Sequence, residues 1–305
     1  MKIQIRQDPK PWNTSFVSMV REANGTQNHD IKFVSKSSEA DVFYIEWTDD
    51  SSLHVEKDKL YLIYMEHLEN FDAIPKDCPN VIIISESKEI LDAAKDFGVK
   101  YYHWKRPTRV PKDMWYNGYN PPKRKDAFSM VSNASRQEDN ITEVVKTYFA
   151  MCLYETEDGE MLSNFDLDVF SAQDIPFEPF NTLMFHGLQP NPLMFKTISK
   201  SKLFISPYRG EGVSINIIDA MYLGIPVLIR DTKANREAFF RLDDDSFYAT
   251  EKELAKRIKW FKEASDKEIE KIAQTNFDSL GEYYEGWNAY SSLRKLEKII
   301  KKEGF

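Results

Sequence analysis

Residues 202–237 read KLFISPYRGEGVSINIIDAMYLGIPVLIRDTKANRE, and they hold the residue types best suited to receiving a phosphate. Gly210 and Gly212 flank Glu211 directly after an apolar, β-branched run. Glycine lets backbone approach a ligand closely. A helix expected from Ser214 directs its N-terminal N–H groups and positive dipole end into the same space. That is a setting for a phosphate or diphosphate. Asp219 lies about one turn inside this helix, and helical side chains lean toward the amino end. It is therefore placed to accept hydrogen bonds from hydroxyls of a bound sugar. Gly224-Ile225-Pro226 ends the helix and launches the next strand.

The elements around this stretch alternate. Lys2–Arg6, Ile31–Val34, Val42–Trp47, Leu60–Met65 and Val81–Ile84 are short apolar runs bounded by polar or turn residues, and they read as strands. Near-continuous apolar runs of this length suit strands buried on both faces of a parallel sheet. Thr14–Ala23 reads as a helix, as does Ser87–Phe97 with Gly98 as its C-cap. Residues 99–104 read as a further strand. Pro107–Pro122, rich in proline and aromatics, reads as a connection between domains. The alternation then resumes. Phe128–Val131, Phe165–Ser171, Thr182–Phe185, Leu203–Ile205 and Pro226–Ile229 are strands, and Glu138–Leu153, Pro192–Ser199 and Ser214–Leu223 are helices. Helices fill most of Lys252–Lys302. Two such halves imply an α/β chain of two doubly wound domains facing one another.

Composition narrows the function classes. The 305 residues are 42% hydrophobic and 30% charged, an ordinary globular balance that excludes wholesale disorder. No apolar stretch is long enough to span a membrane, and no signal-peptide core follows the N-terminus. The only cysteines, Cys78 and Cys152, rule out a disulfide scaffold and a cysteine zinc site. They read as packing residues in a reducing, cytoplasmic protein. The net charge of -8 argues against general affinity for nucleic acid or anionic membranes, while leaving room for a local basic patch.

The 202–237 stretch resembles the donor-binding motif of GT-B glycosyltransferases, in particular the large retaining, GT4-like group that includes bacterial and phage sugar transferases. Pro207, Glu211, Gly212, Asp219, Ala220, Met221, Gly224, Pro226 and Val227 fall at the family's spacings. The resemblance covers residues 121–305 well and the first 120 residues in architecture only. It implies a GT-B fold of two facing Rossmann-like domains: 1–120 for the acceptor, 121–285 for the nucleotide-sugar donor. A C-terminal segment over 286–305, with Trp287 just before its helix, would cross back to the N-terminal domain. It implies sugar transfer from a nucleotide-sugar, with a UDP-sugar the leading expectation, retention of anomeric configuration, and no required cofactor or metal.

The resemblance also implies roles. Glu211 would contact donor-sugar hydroxyls. Gly210, Gly212 and the backbone amides of Val213, Ser214 and Ile215 would meet the diphosphate or sugar. Asp219 stands where the family has a glutamate for the ribose, and it is one methylene shorter. Ser214 replaces a glycine. Family members place an Arg and a Lys after the first strand of the C-terminal domain. Here VSNASRQEDNI supplies only Arg136, with Asn133 near the arginine's place, so Arg136 alone or with Arg209 would serve the diphosphate. His67 and His186 follow strands and are candidates for the cleft, with Glu66 orienting the acceptor. Asp243-Asp244-Asp245 reads as a charged turn rather than a metal motif.

The acceptor is less determined. A saccharide, protein or small molecule is expected. Residues 105–125 also interleave seven cations, among them Lys105, Arg106 and Arg109, with Trp104, Trp115, Tyr116 and Tyr119. Cations with stacking aromatics could grip nucleic acid, so a phage-type transferase acting on a hydroxymethylated DNA base is an alternative. Such a base must be extruded to be reached. A solvated hinge is the plain structural alternative for this run. Two further readings remain: a catalytically degenerate GT-B binding module and a sugar-nucleotide epimerase.

Overall fold

A computed structural model describes residues 1–6, 19–20, 22–23, 30–34, 36–46, 55–65, 68, 71, 74, 77–119, 121–132, 141–153, 166–171, 182–187, 189–281 and 286–305. They form two compact units. Unit one comprises Met1–Arg109, Gly210–Val213 and Gly281–Phe305, and unit two comprises Val110–Arg209 and Ser214–Leu280. The described helices are α1 Lys88–Asp96, α2 Ile141–Leu153, α3 Asn191–Ile198, α4 Ile215–Tyr222, α5 Lys233–Ala238, α6 Glu251–Glu263, α7 Asp266–Ser279 and α8 Ala289–Lys302.

Unit one is built on six strands: β1 Lys2–Arg6, β2 Lys32–Phe33, β3 Val42–Glu46, β4 Leu60–Tyr64, β5 Val81–Ser85 and β6 Lys100–His103. Their order is β2-β1-β3-β4-β5-β6, and every neighbouring pair is parallel. The apolar runs fit this arrangement because successive side chains point to opposite faces. Leu60, Leu62 and Tyr64 join Val42, Tyr44, Ile82 and Ile84 in one core. Tyr61 and Ile63 join Phe43, Ile45, Val81 and Ile83 in another.

A helix covers each core. Ile90 and Ala94 of α1 close the second. Ser87 caps that helix by accepting from the Ile90 N–H at 3.4 Å. Leu293, Leu296, Ile299 and Ile300 of α8 close the first. Each such side chain contributes about 1.5–3 kcal/mol when fully buried, so α8 belongs to the core of unit one. Trp104 joins the two. Its ring lies 5.7 and 5.9 Å from those of Tyr44 and Tyr64, and its indole N–H donates to the Ser292 carbonyl at 2.9 Å.

Unit two has β7 Lys125–Ser132, β8 Asp166–Ser171, β9 Leu183–His186, β10 Ser201–Ser206, β11 Val227–Arg230 and β12 Phe247–Tyr248. The order is β12-β11-β10-β7-β8-β9, again all parallel. The chain lays β7, β8 and β9 outward to one side, then returns and lays β10, β11 and β12 to the other. The reversal lies between β7 and β10. In open α/β sheets, ligands bind beyond the strands' carboxyl ends at such a reversal.

One arginine holds the opposite, amino ends of the central strands. Arg124, just before β7, donates to Glu270 at 2.7 Å, to the Gly224 carbonyl at 2.6 Å, and to the Ser199 and Ser201 carbonyls at 3.3 Å. Its side chain is 1% exposed. Only a planar guanidinium presents donors in so many fixed directions. By position Arg124 belongs to the basic run in 105–125. The structure makes it a buried strut.

Gly224 ends α4 in the left-handed region, at φ 68°. The Gly224 N–H donates to the Met221 carbonyl and the Ile225 N–H to the Ala220 carbonyl, both at 3.0 Å, which closes a Schellman turn. A Cβ there would also meet the Tyr116 ring at 2.0 Å. Tyr116 donates its hydroxyl to Glu270 at 3.0 Å.

The elements follow the alternation expected, apart from two short ones. Helix α5 and strand β12 were not anticipated. They span six and two residues, too short for periodicity to register. The stretch Lys252–Lys302 is divided among three helices, with Ser265 forming a capping box at the start of α7. Within Thr14–Ala23, Met19–Val20 and Glu22–Ala23 are helical and the rest lies outside the described residues.

Gly224→Ala is expected to lower the unfolding free energy by about 1–3 kcal/mol or more, from the left-handed backbone alone before the ring clash. An unchanged urea midpoint would overturn this. Tyr116 has its pKa pushed up to about 12, by burial first and then by the hydrogen bond to Glu270. The folded state thus favours the neutral phenol. That stabilisation is complete below the ordinary value of 10.0 and is lost as pH rises through about 12. Tyr116→Phe should therefore flatten the fall of stability across this alkaline window. Parallel curves for the variant and the parent would contradict the assignment.

Candidate functional site

The turn that leaves β10 carries the candidate site. All six residues of β10 are buried, and the chain emerges at the carboxyl edge, next to the strand-order reversal, as Pro207–Ser214. Two contacts of unit two fix its surroundings. Asn235, fully buried on α5, donates its amide to the Tyr208 carbonyl at 3.3 Å and the Arg230 carbonyl at 2.9 Å. Asn216 donates to the Val131 carbonyl at 3.5 Å, joining the start of α4 to the end of β7.

The amino end of α4 differs from most of its counterparts. Ser87, Thr232, Thr250, Ser265 and Asn288 each cap a helix with a side-chain oxygen. Ser214 is the N-cap residue of α4, but its side chain makes no cap hydrogen bond. The first N–H groups of a helix have no intrahelical partner. Here they lie at the end of a glycine-containing turn whose Gly210 and Gly212 are buried. An anion is the natural partner for such a terminus.

Charge is arranged around Glu143, in the first turn of α2 and 6% exposed. Arg209 donates to one carboxylate oxygen at 2.8 Å and Arg230 to the other at 2.6 Å. One carboxylate therefore gathers two guanidinium groups, one from the turn and one from the end of β11, and leaves a net positive charge. The Arg209 side chain is 42% exposed, so it reaches solvent while Glu143 fixes one of its nitrogens. The Arg230 guanidinium lies 5.5 Å from the Tyr248 ring. Tyr248 has its pKa raised, by burial first and then by the Glu143 charge. Sequence reading named Arg209 and missed Glu143 and Arg230. Their partners lie 66 and 87 residues apart in sequence, beyond any motif.

The other expected residues are distributed as follows. Glu211 is partly exposed, and Ile215 opens α4. Asp219 is buried, 1% exposed. Val213 is buried and its carbonyl accepts from Arg106 at 3.0 Å, within unit one. Arg106 is itself 6% exposed. It also stands 3.8 Å from Glu86 and 4.9 Å from the Tyr64 ring centre, while Tyr64 donates to Glu86 at 2.7 Å. Arg106, a candidate for the acceptor, is therefore buried beside Glu86. Arg109 and Lys105 are partly exposed. Trp115 packs on Tyr222 at 4.8 Å between ring centres and donates to the Val110 carbonyl at 3.0 Å.

His186, at the end of the edge strand β9, bonds Asp168 at 2.6 Å and stacks on Phe170 at 4.5 Å. It lies three strands from β10 in the sheet order. The structure thus gives it a local pairing away from the turn. Asp244 and Asp245 pair with Arg236 and Arg257, in keeping with a charged turn. Among the described residues, no group of three or more His, Cys, Asp or Glu is placed to hold a metal ion, and no helix is long and apolar enough to cross a membrane. Glu66, His67, Asn133 and Arg136 lie outside the described residues.

Comparisons with known proteins bear on this geometry. Residues 178–276, which include the whole turn and α4, match the family model described as glycosyl transferases group 1. No curated protein sequence matches the chain. Among solved structures, an alpha-glucosyltransferase in complex with UDP and a 13-mer DNA containing a HMU base has a TM-score of 0.68 at 11% identity, covering 99% of both chains. Alr3699/HepE of Anabaena, in complex with UDP and glucose, has a TM-score of 0.60 at 11% identity, covering 99% of this chain and 100% of that one. TarM of S. aureus has a TM-score of 0.60 at 15% identity, covering 85% of this chain. This chain spans about half of TarM's length, 55%. At these identities the likeness concerns the fold, which is the α/β GT-B arrangement that the resemblance implied.

Glu143→Gln should lower stability by about 1–3 kcal/mol, because one neutral amide cannot satisfy two guanidinium groups. Urea unfolding checks this. An unchanged midpoint would mean that the two-arginine fork does not hold the carboxyl edge of the sheet together.

Proposed function

We propose that the chain is a glycosyltransferase that takes a sugar from a nucleotide-sugar, a UDP-sugar first, and delivers it to an acceptor hydroxyl with retention of configuration. The observation that carries this reading is the amino end of α4, without a side-chain cap, following the Gly210–Gly212 turn at the strand-order reversal. It lies inside the segment that matches the glycosyl transferases group 1 model. A diphosphate suits that terminus, and the solvent-reaching Arg209, fixed by Glu143, supplies a cation beside it. UDP in all three structural neighbours named above supports the choice of nucleotide.

The chemistry asks little of the protein beyond positioning and charge. The bond between the sugar's C1 and the diphosphate oxygen breaks. The acceptor oxygen bonds C1 on the same face, and its proton passes to the leaving phosphate oxygen. No enzymic nucleophile enters. Fixed donors aimed at the phosphate stabilise the charge that develops there. In this reading the amides of Val213, Ser214 and Ile215 and the Arg209 guanidinium are those donors, with Arg136 and Asn133 as further candidates. Glu211 holds sugar hydroxyls, and Asp219 meets the ribose. His67, Glu66 and His186 keep only the roles implied by the family resemblance. The reading requires no cofactor or metal. The two cysteines support a reducing cytoplasm as the setting.

Saccharide, protein and small-molecule acceptors all fit. A second reading, transfer to a modified DNA base, is favoured by two observations. The alpha-glucosyltransferase with the TM-score of 0.68 was solved with DNA containing a HMU base, and this chain carries cations interleaved with aromatics in residues 105–125.

UDP, GDP, ADP and TDP, each alone and as sugar conjugates, are to be tested by thermal shift. The cognate nucleotide should stabilise the folded chain by about 2.7 kcal/mol at 100 times its dissociation constant. Glu211→Ala should leave the fold intact and reduce transfer by about a hundredfold, and NMR of the product should show the donor's anomeric configuration. Unchanged transfer in the variant would remove Glu211 from the site. An inverted product would overturn retention, and no response to any nucleotide would favour a degenerate binding module.

A further inference from the structure

Unit one contains a cavity whose charged lining is all cationic, set among Trp104, Gly286 and two serines. It has a volume of about 510 Å³ and lies between the end of β6 and the outer face of α8. His103, Lys105, Arg294, Lys295 and Lys298 line it, with Ser291 and Ser292. Among the described residues no aspartate or glutamate does. In a chain with net charge -8, four permanent positive charges have been gathered on one concave surface.

The arrangement is built into the fold. Residues 294, 295 and 298 fall on one helical face because side chains three and four apart are neighbours. The opposite face carries Leu293, Leu296, Ile299 and Ile300 into the core, so the cations cannot rotate away. The floor is held by two cross-links. Ser292 donates its hydroxyl to the Lys105 carbonyl at 2.7 Å, and Trp104 donates its indole N–H to the Ser292 carbonyl at 2.9 Å. The Lys105 ammonium lies 5.2 Å from the centre of the Trp287 ring. Arg294 donates to the Tyr290 hydroxyl at 2.9 Å, which orients its guanidinium.

Two further facts point to an anion. Lys295 and Lys298 have no ion-pair partner among the described residues. The His103 imidazole has its pKa lowered, by desolvation first and then by the charges of Lys105 and Lys295. The amino end of α8 is not the source of attraction, because Asn288 already caps it by accepting from the Ser291 N–H at 3.0 Å. The site is made of side chains. Like charges held together repel one another, and a bound anion removes that cost. Guanidinium and ammonium groups together match phosphate oxygens, and the volume lies within the range of pockets that take small organic ligands.

We propose that this cavity binds a phosphate ester, either a phosphorylated small molecule or a stretch of nucleic-acid backbone, at a place in unit one separate in residues from the turn after β10. The proposal does not depend on the transferase reading.

The test uses the full chain. His103 is one of five histidines, so its ring resonances can be assigned by comparison with His103→Gln. Inorganic phosphate, a hexose 6-phosphate and a 12-nucleotide DNA strand are titrated in turn while those resonances are followed. The expected result is a saturable shift that is about tenfold weaker in Lys295→Ala/Lys298→Ala, and unaltered in Lys267→Ala/Lys271→Ala, which removes the same charge from exposed positions on α7. It should also be unaltered in Glu211→Ala, which separates this cavity from the turn. Tighter binding of the hexose phosphate would identify a small-molecule site. Tighter binding of the DNA with a steep salt dependence would identify a backbone contact. No saturable shift with any of the three, or equal weakening in both lysine pairs, would overturn the proposal.

Discussion

Arginine–carboxylate contacts hold the second sheet at both ends, and the candidate site depends on them. At the amino edge, Arg124 serves the chain ahead of β7, β10 and β11 with a single guanidinium. At the carboxyl edge the stoichiometry is reversed. There Glu143 collects Arg209, just beyond β10, and Arg230, at the end of β11, onto the helix that follows β7. Parallel strands contribute no hairpins to lock their ends together. Buried, multidentate charge contacts do so here, and they fix the place where the Pro207–Ser214 turn emerges.

The reversal of strand order and the missing side-chain cap on α4 then act together. The first brings the ends of β7 and β10 side by side. The second leaves helix amides available where an anion can reach them. The family-model match at 178–276 spans the same place. Three kinds of observation that need not agree therefore meet at one turn.

Much of this was legible in the sequence because it is local. The strands of unit one announce themselves as runs such as LYLIY and VIIIS, and their burial on both faces follows from having no polar alternation. Gly224 is legible because an α-helix followed by Gly-x-Pro needs a left-handed residue there. The polar framework was not legible. Arg106 and Arg124 look like members of one basic run, yet each is buried against a partner supplied by a distant element, Val213 and Glu270. Glu143 carries no motif and gains its role only when α2 packs beside the turn. Helix α5 and strand β12 were missed because elements of six and two residues carry too little pattern to read.

The helix α8 has a consequence for how the chain is made. Leu293, Leu296, Ile299 and Ile300 supply one face of the core of unit one, whose strands all lie before residue 104. During synthesis those strands leave the ribosome first, but their covering helix follows only after residues 110–280 have been translated. Unit two has all of its own strands by then and can fold as a body. Unit one must wait with an apolar sheet face exposed, the condition in which nascent chains most need a chaperone. The strands that precede unit two in the chain are thus completed only after it.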